Sequence, residues 1–311
     1  MFRVLCFGIV AVVIFPQEPV PSPYQRLIQA IVDHETKTAS QLVSTLDAVE
    51  LNKDDRIHGT PLMAAARAGQ DDLVKQLLER GARVGQKTAG GRTALHESAG
   101  QGRLSTSSIL LKAGADPNAF SEEKTKTGQP LYGLSPLASA IHSGNPEVMN
   151  LLIMAGADPF QHSSHHGSCL FRVTDDPAQP NRKAAMIQIT KRLLELGCDP
   201  DEVVGSRTPL INAVWRTDPL AVEVYLEACP GLDVNLVPDG DGLTALHSAV
   251  VLPSEHRDHL ERVTRIVRLL LKHGADPKKE SKNGESALTA RKPPEIQQML
   301  QEAIREQRVT K

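Results

Sequence analysis

The sequence predicts an all-α repeat protein, a solenoid of about seven helix-turn-helix units joined by short β-hairpin loops. Three observations lead there. A phrase of the form Thr/Ser, then Pro, Ala or Cys, then Leu begins at residues 60, 93, 135, 168, 208, 244 and 286. Two of its intervals are 33 residues and the others are longer, as expected of one unit with insertions. A second phrase, Leu-Leu or Leu-Ile followed by two residues and Gly, keeps time with the first at Leu77, Leu110, Leu152, Leu193 and Leu270. Aromatic residues make up only 3% of the 311, whereas large β cores are built from aromatic and β-branched side chains.

Residues 1–22 read as a signal-peptide-like or anchor segment. Met1-Phe-Arg3 precedes twelve uncharged residues, Val4–Phe15, and a polar, Pro-rich stretch up to Pro23. Twelve helical residues reach about 18 Å, short of the roughly 30 Å hydrocarbon core, so the pattern fits export better than a span. No Ala-x-Ala-like site follows it, and a misassigned start or a buried N-terminal strand are the other readings. Export (secreted, periplasmic or envelope-associated) is the expected location, with the cytoplasm as the alternative.

Residues 23–56 are expected to form an N-terminal capping repeat. Leu27 and Leu42 stand one repeat length before Leu62 and Leu73, and the polar remainder suits an end that meets water. The array itself is assigned to 57–292. In each unit Thr or Ser caps the first helix, accepting a backbone N–H of the first turn. Pro at the next position costs nothing, because its missing N–H would have no partner. Gly69, Gly102 and Gly144 lie nine residues after the cap, where the first helix must turn. The second helix then runs to Gly81, Gly114, Gly156, Gly197 or Gly274, which supplies a positive-φ stop. The fourth and sixth units carry extra residues between their helices, near Asp175–Arg182 and Leu252–Glu261, and Asn118–Tyr132 is a further insertion rich in Lys and Glu. Residues 293–311 read as a C-terminal capping helix and tail, with Ile296, Leu300 and Ile304 on one face.

Seven such units in register resemble the ankyrin repeat, whose pattern is Thr-Pro-Leu-His-x-Ala-Ala with Leu-Leu-x-x-Gly-Ala-Asp later. The resemblance covers roughly residues 57–292 and implies an ankyrin-type solenoid that binds another protein. The chain departs from the pattern at Ser168-Cys-Leu-Phe171 in unit four, and at Thr217 and Cys229, where the family has Gly. Units four and five are therefore expected to be the most distorted. The resemblance also implies that His96 and His247 tie turns of adjacent repeats by hydrogen bonds.

Chemistry is hard to find. The sequence lacks a phosphate-binding Gly-x-x-x-x-Gly-Lys loop, a Gly-x-Ser-x-Gly elbow, a His-Glu-x-x-His pair and a Gly-x-Gly-x-x-Gly turn. Asp116, Asp158, Asp199 and Asp276 recur because the repeat recurs, and are expected to shape hairpins. Cys6, Cys169, Cys198 and Cys229 include no Cys-x-x-Cys pair and read as small buried thiols. His162, His165, His166, His256 and His259 cluster in inserted loops, where solvated side chains are the plain reading and a metal-dependent or enzymatic activity is the alternative function. No catalytic residue, metal ligand or cofactor is assigned.

With 37 acidic and 35 basic residues the chain lacks a broad electrostatic footprint for nucleic acid. From residue 257 onward 13 Lys and Arg stand against 8 Asp and Glu, read as solvated helix surface or as contacts to an acidic partner or an anionic membrane. The expected function is non-enzymatic protein–protein interaction through the concave ankyrin surface. Its candidate contacts are the positions that point away from the neighbour-packing stripe: Arg67, Glu97, Gln101, Ser139, His142, Arg172, Asn212, Trp215, Arg216 and Ser248. Trp215 beside Arg216 matches residue types enriched at hot spots, unless its ring folds back to cover unit five. The expected partner is another protein, with neither nucleic acid nor a small-molecule substrate, and with a membrane only through an uncleaved N-terminal segment.

Overall fold

A computed structural model describes residues 21–54, 57–121, 134–160, 167–173, 182–240, 242–252, 257–290 and 293–309. The signal-like segment up to residue 20, His162, His165, His166 and His256 lie outside these.

The cap is α1 (Pro23–Val32), α2 (Thr36–Thr45) and a four-residue α3 (Ala48–Leu51), which the repeat pattern does not anticipate. Asp47 makes α3, its carboxylate accepting the N–H groups of Val49 and Glu50. Three regular units follow as helix pairs: α4 (Pro61–Ala68) with α5 (Asp71–Glu79), α6 (Ala94–Gly100) with α7 (Leu104–Lys112), and α8 (Pro136–His142) with α9 (Pro146–Met154). Beyond unit four come its second helix α10 (Lys183–Glu195), the pair α11 (Pro209–Trp215) and α12 (Pro219–Ala228), the pair α13 (Ala245–Val251) and α14 (Arg257–Lys272), and α15 (Pro294–Val309). Four of the seven expected caps are made by the side chain, Thr60, Ser135, Thr208 and Thr244 accepting from Met63, Ala138, Ile211 and His247 at 3.1–3.3 Å, whereas Ser168 makes none.

First helices pack on first helices, α1 to α4 to α6 to α8 and α11 to α13. Second helices form the other layer, from α2 through α14, and α15 closes the far end against α14. The Ala-rich faces of α4 and α6 are buried whole, which lets their backbones approach. Leu77, Leu110, Leu152, Leu193 and Leu270 are all fully buried, and one continuous apolar core runs from Tyr24 to Leu300. No unit could bury that surface alone.

The hairpins are as short as expected, and three other expectations need correcting. Among the described residues no strand forms; the hairpins reduce to single antiparallel bridges at Ser121–Leu134, Val204–Arg207 and Glu280–Ser286. Unit four, as expected, is distorted: a single 3₁₀ turn, Cys169–Arg172, replaces its first helix. The buried Tyr225 of α12 holds that turn, donating its hydroxyl to the Leu170 and Val173 carbonyls. Unit five, by contrast, is regular, because Thr217 itself takes a left-handed φ of 52° and Gly231, at 93°, does what was asked of residue 229. The second irregular unit is the seventh, where Ser286 and Thr289 close a turn on each other and no first helix forms among the described residues 286–290. Pro293 and Pro294 follow within eight residues and bias the preceding residues away from helix. The sixth-unit insertion is shorter than expected, since α14 already begins at Arg257.

Candidate functional site

The ten candidate residues divide by burial into three groups. Gln101, His142 and Arg216 are exposed; Arg67, Arg172, Asn212 and Trp215 are half-buried. Glu97, Ser139 and Ser248 are buried, which corrects the expectation that all ten face a partner. Ser139 turns its hydroxyl to the Ser135 carbonyl at 3.1 Å, and Ser248 is 0% exposed between packed helices. A small side chain at this register lets neighbouring first helices close over it.

Arg67 and Glu97 belong to one cluster with Arg92, a residue that the motif does not single out because it precedes the capping Thr93. Glu97 on α6 is 7% exposed, and its two carboxylate oxygens accept from Nε of Arg67 and Nε of Arg92, each at 2.8 Å. Burial, the largest single influence, pushes this carboxyl up; the two guanidinium groups together outweigh it and hold it below the usual Glu range. The cluster therefore stays ionised and carries one net positive charge. It lines a cavity of about 470 Å³ together with Asp54, Ile57, His58, Gly59, Thr88, Ala89 and Gly90.

Farther along the array Trp215 ends α11. Its ring packs on the apolar core and carries the Arg207 guanidinium 4.8 Å from its centroid. This is an arrangement in which cation and ring attract. Arg216 and Arg207 are both exposed, and among the described residues no carboxylate forms an ion pair with either. Val251, at the position of α13 that matches Trp215, is 45% exposed.

His96 and His247 lie beneath this face and link repeats as the resemblance implies. Nδ1 of His96 accepts the Thr93 N–H at 3.1 Å while its other ring nitrogen donates to the Leu134 carbonyl, 38 residues on. His247 repeats the arrangement with Thr244 and the Glu285 carbonyl. Asp116, Asp158, Asp199 and Asp276 shape hairpins as expected, each accepting the backbone N–H two residues ahead. A second ladder is not legible in the repeat phrases. Asn52, Asn118 and Asn235 each donate to a glycine carbonyl of the next unit (Gly81, Gly156, Gly274) and accept the N–H two residues beyond that glycine.

Cys169, Cys198 and Cys229 are buried free thiols, and burial pushes them up to about 12, 11 and 12. Reactive thiolate chemistry at neutral pH is closed to them. Of the loop histidines only His259 is described, half-buried near the start of α14. Among the described residues no three His, Cys, Asp or Glu side chains are grouped to hold a metal ion, and no helix is long and apolar enough to cross a membrane.

The family model for ankyrin repeats in three copies matches residues 27–121 and 62–163, and the single ankyrin repeat model matches 241–282, together more than half of the chain. Mouse NF-kappa-B inhibitor delta is 27% identical over 224 residues, covering 70% of this chain and 58% of that protein. Human BCL-6 corepressor-like protein 1 is 30% identical over 145 residues, 46% of this chain and 8% of that protein. The chain thus spans less than two thirds of the length of these relatives. Among solved structures, the human ASB11 ankyrin repeat domain is 25% identical, with a TM-score of 0.60 over 78% of this chain and 97% of that one.

Proposed function

The chain belongs to the ankyrin repeat family, and from that premise we propose that it is a non-enzymatic module that docks another protein on the face formed by its first helices and hairpin tips. Interaction with other proteins is the common property of ankyrin repeats; the partner and the contact residues are the proposal. The observation that carries it is the half-exposed Trp215, the chain's one tryptophan, held under Arg207 and flanked by Arg216 and Val251. A rigid aromatic anchor with arginines around it is the composition found at the centres of protein interfaces. The expected test is the double variant Trp215→Ala, Arg216→Ala. Partner capture should fall at least about tenfold, a loss of roughly 1.4 kcal/mol or more, while the helical circular dichroism stays. Undiminished capture would remove this patch from the interface.

The proposal extends to place. The uncharged run Val4–Phe15 behind Arg3 supports export. N-terminal sequencing of the mature chain should find a start near residue 22, and a retained Met1 in soluble cytosol would contradict it.

A further inference from the structure

We infer that the cavity over Glu97 is a seat for a single carboxylate, the side chain of an Asp or Glu on the docked partner. This inference rests on the reading of the first-helix face as a docking surface and names the chemistry of one of its subsites.

Each guanidinium has five N–H donors, one on Nε and four on the terminal nitrogens. Arg67 and Arg92 each give Nε–H to Glu97, and among the described residues no acceptor meets the remaining donors of either. Their side chains are 39% and 27% exposed, so those donors are accessible from the cavity they line. Glu97 fixes both groups from beneath: one arginine comes from the end of α4, the other from the hairpin tip before α6. The guanidinium pair is pre-organised, and a second carboxylate entering from above meets charge-assisted donors without the cost of ordering them.

Charge decides which anion fits. Two arginines against Glu97 leave one positive charge at the cluster, while Asp54, at the edge of the same cavity, is engaged in an interaction of its own. A monoanion matches the single positive charge that Arg67, Arg92 and Glu97 leave, whereas a phosphate dianion exceeds it and meets stronger repulsion from Glu97. Ile57, 78% exposed at the rim, offers apolar surface to the stem of the entering side chain.

The test uses the full chain and three capped nonapeptides of Gly and Ala, with a central Glu, Gln or phosphoserine. The readout is the Nε–H resonances of Arg67 and Arg92 in ¹H–¹⁵N spectra. The Glu peptide should shift both in a saturable way, and the Gln and phosphoserine peptides should bind about tenfold more weakly or worse. Arg92→Gln should weaken the Glu peptide by a similar factor at Arg67. If Arg92→Gln fails to fold, Arg67→Lys, which keeps the charge but loses the planar fork, should show the same weakening at Arg92. Absence of a response to the Glu peptide, equal response to Gln or phosphoserine, or native affinity in the arginine variant overturns the inference. Capture that survives Trp215→Ala while the Glu peptide still binds counts against the docking patch at Trp215 and not against this seat.

Discussion

At the scale of single residues, His96 shows how a motif position becomes a physical constraint. It is fully buried, its Nδ1 is occupied by donors from Thr93, and burial lowers it to about 4 against the opposing pull of the Leu134 carbonyl. The unfolded chain binds a proton at this side chain near pH 6.5, the folded chain only near 4. Stability is therefore full above pH 6.5 and is lost as pH falls through the window down to about 4, by about 3 kcal/mol from this group. Urea unfolding at pH 7, 5 and 4 should show that loss, and His96→Ala should flatten the slope in that window while lowering stability at pH 7. An unchanged slope in the variant would refute the assignment. His96 was legible because it stands in the repeat motif. Arg92 was not, because it lies one residue outside the motif and acquires its meaning only when the hairpin folds over Glu97.

At the scale of elements, the turn between the two helices of a unit explains which departures from the pattern matter. Its left-handed residue is His34, Gly69, Gly102, Gly144 and Thr217 along the array. At Gly69 and Gly144 an arginine of the next unit lies over the glycine, and an added Cβ would stand 2.8 and 2.6 Å from Arg103 and Arg182. Arg182 also donates to the His142 carbonyl across that glycine. Glycine is needed at both for φ, and at Gly144 for space as well, since Arg182 is buried and bonded there whereas the exposed Arg103 can move aside. At Thr217 only the φ is in question, and the backbone bears the cost without losing the helix pair. The same position should thus respond with opposite signs: Gly144→Ala is expected to destabilise by about 2 kcal/mol, and Thr217→Gly to stabilise by about 1 kcal/mol. Thermal or urea unfolding of the two variants checks this, and a loss at Thr217→Gly would show that its side-chain packing outweighs the strain. The expectation that unit five would be distorted failed for this reason. It treated a missing glycine as a missing conformation, whereas Thr217 adopts the conformation. The irregularity of unit seven was readable in part, because Pro293-Pro294 disfavours helix in the residues before it, although the Ser286-Ala-Leu phrase has the form of a helix start.

At the scale of the whole molecule, the apolar stripe, the caps and the His and Asn ladders give each unit its neighbours and leave a limited set of side chains for a partner. The fold was legible from periodicity because every repeat reuses the same buried residues, from Leu77 to Leu270. The site was legible only in part. Periodicity says which positions face away from the stack, but it cannot say that Ser139 and Ser248 are small enough to be sealed, or that Arg207 reaches back over Trp215. The array presents a cationic aromatic patch at units five and six and a guanidinium pair at units one and two, on a chain whose formal net charge is only −2. The most direct measurement of the docking claim places a photo-crosslinking residue at Arg216, on the first-helix face, and in a second protein at Gln188, on α10 of the opposite layer. Adducts to a partner protein from position 216 and none from 188 are predicted; equal adducts from both, or adducts from 188 alone, would contradict the account.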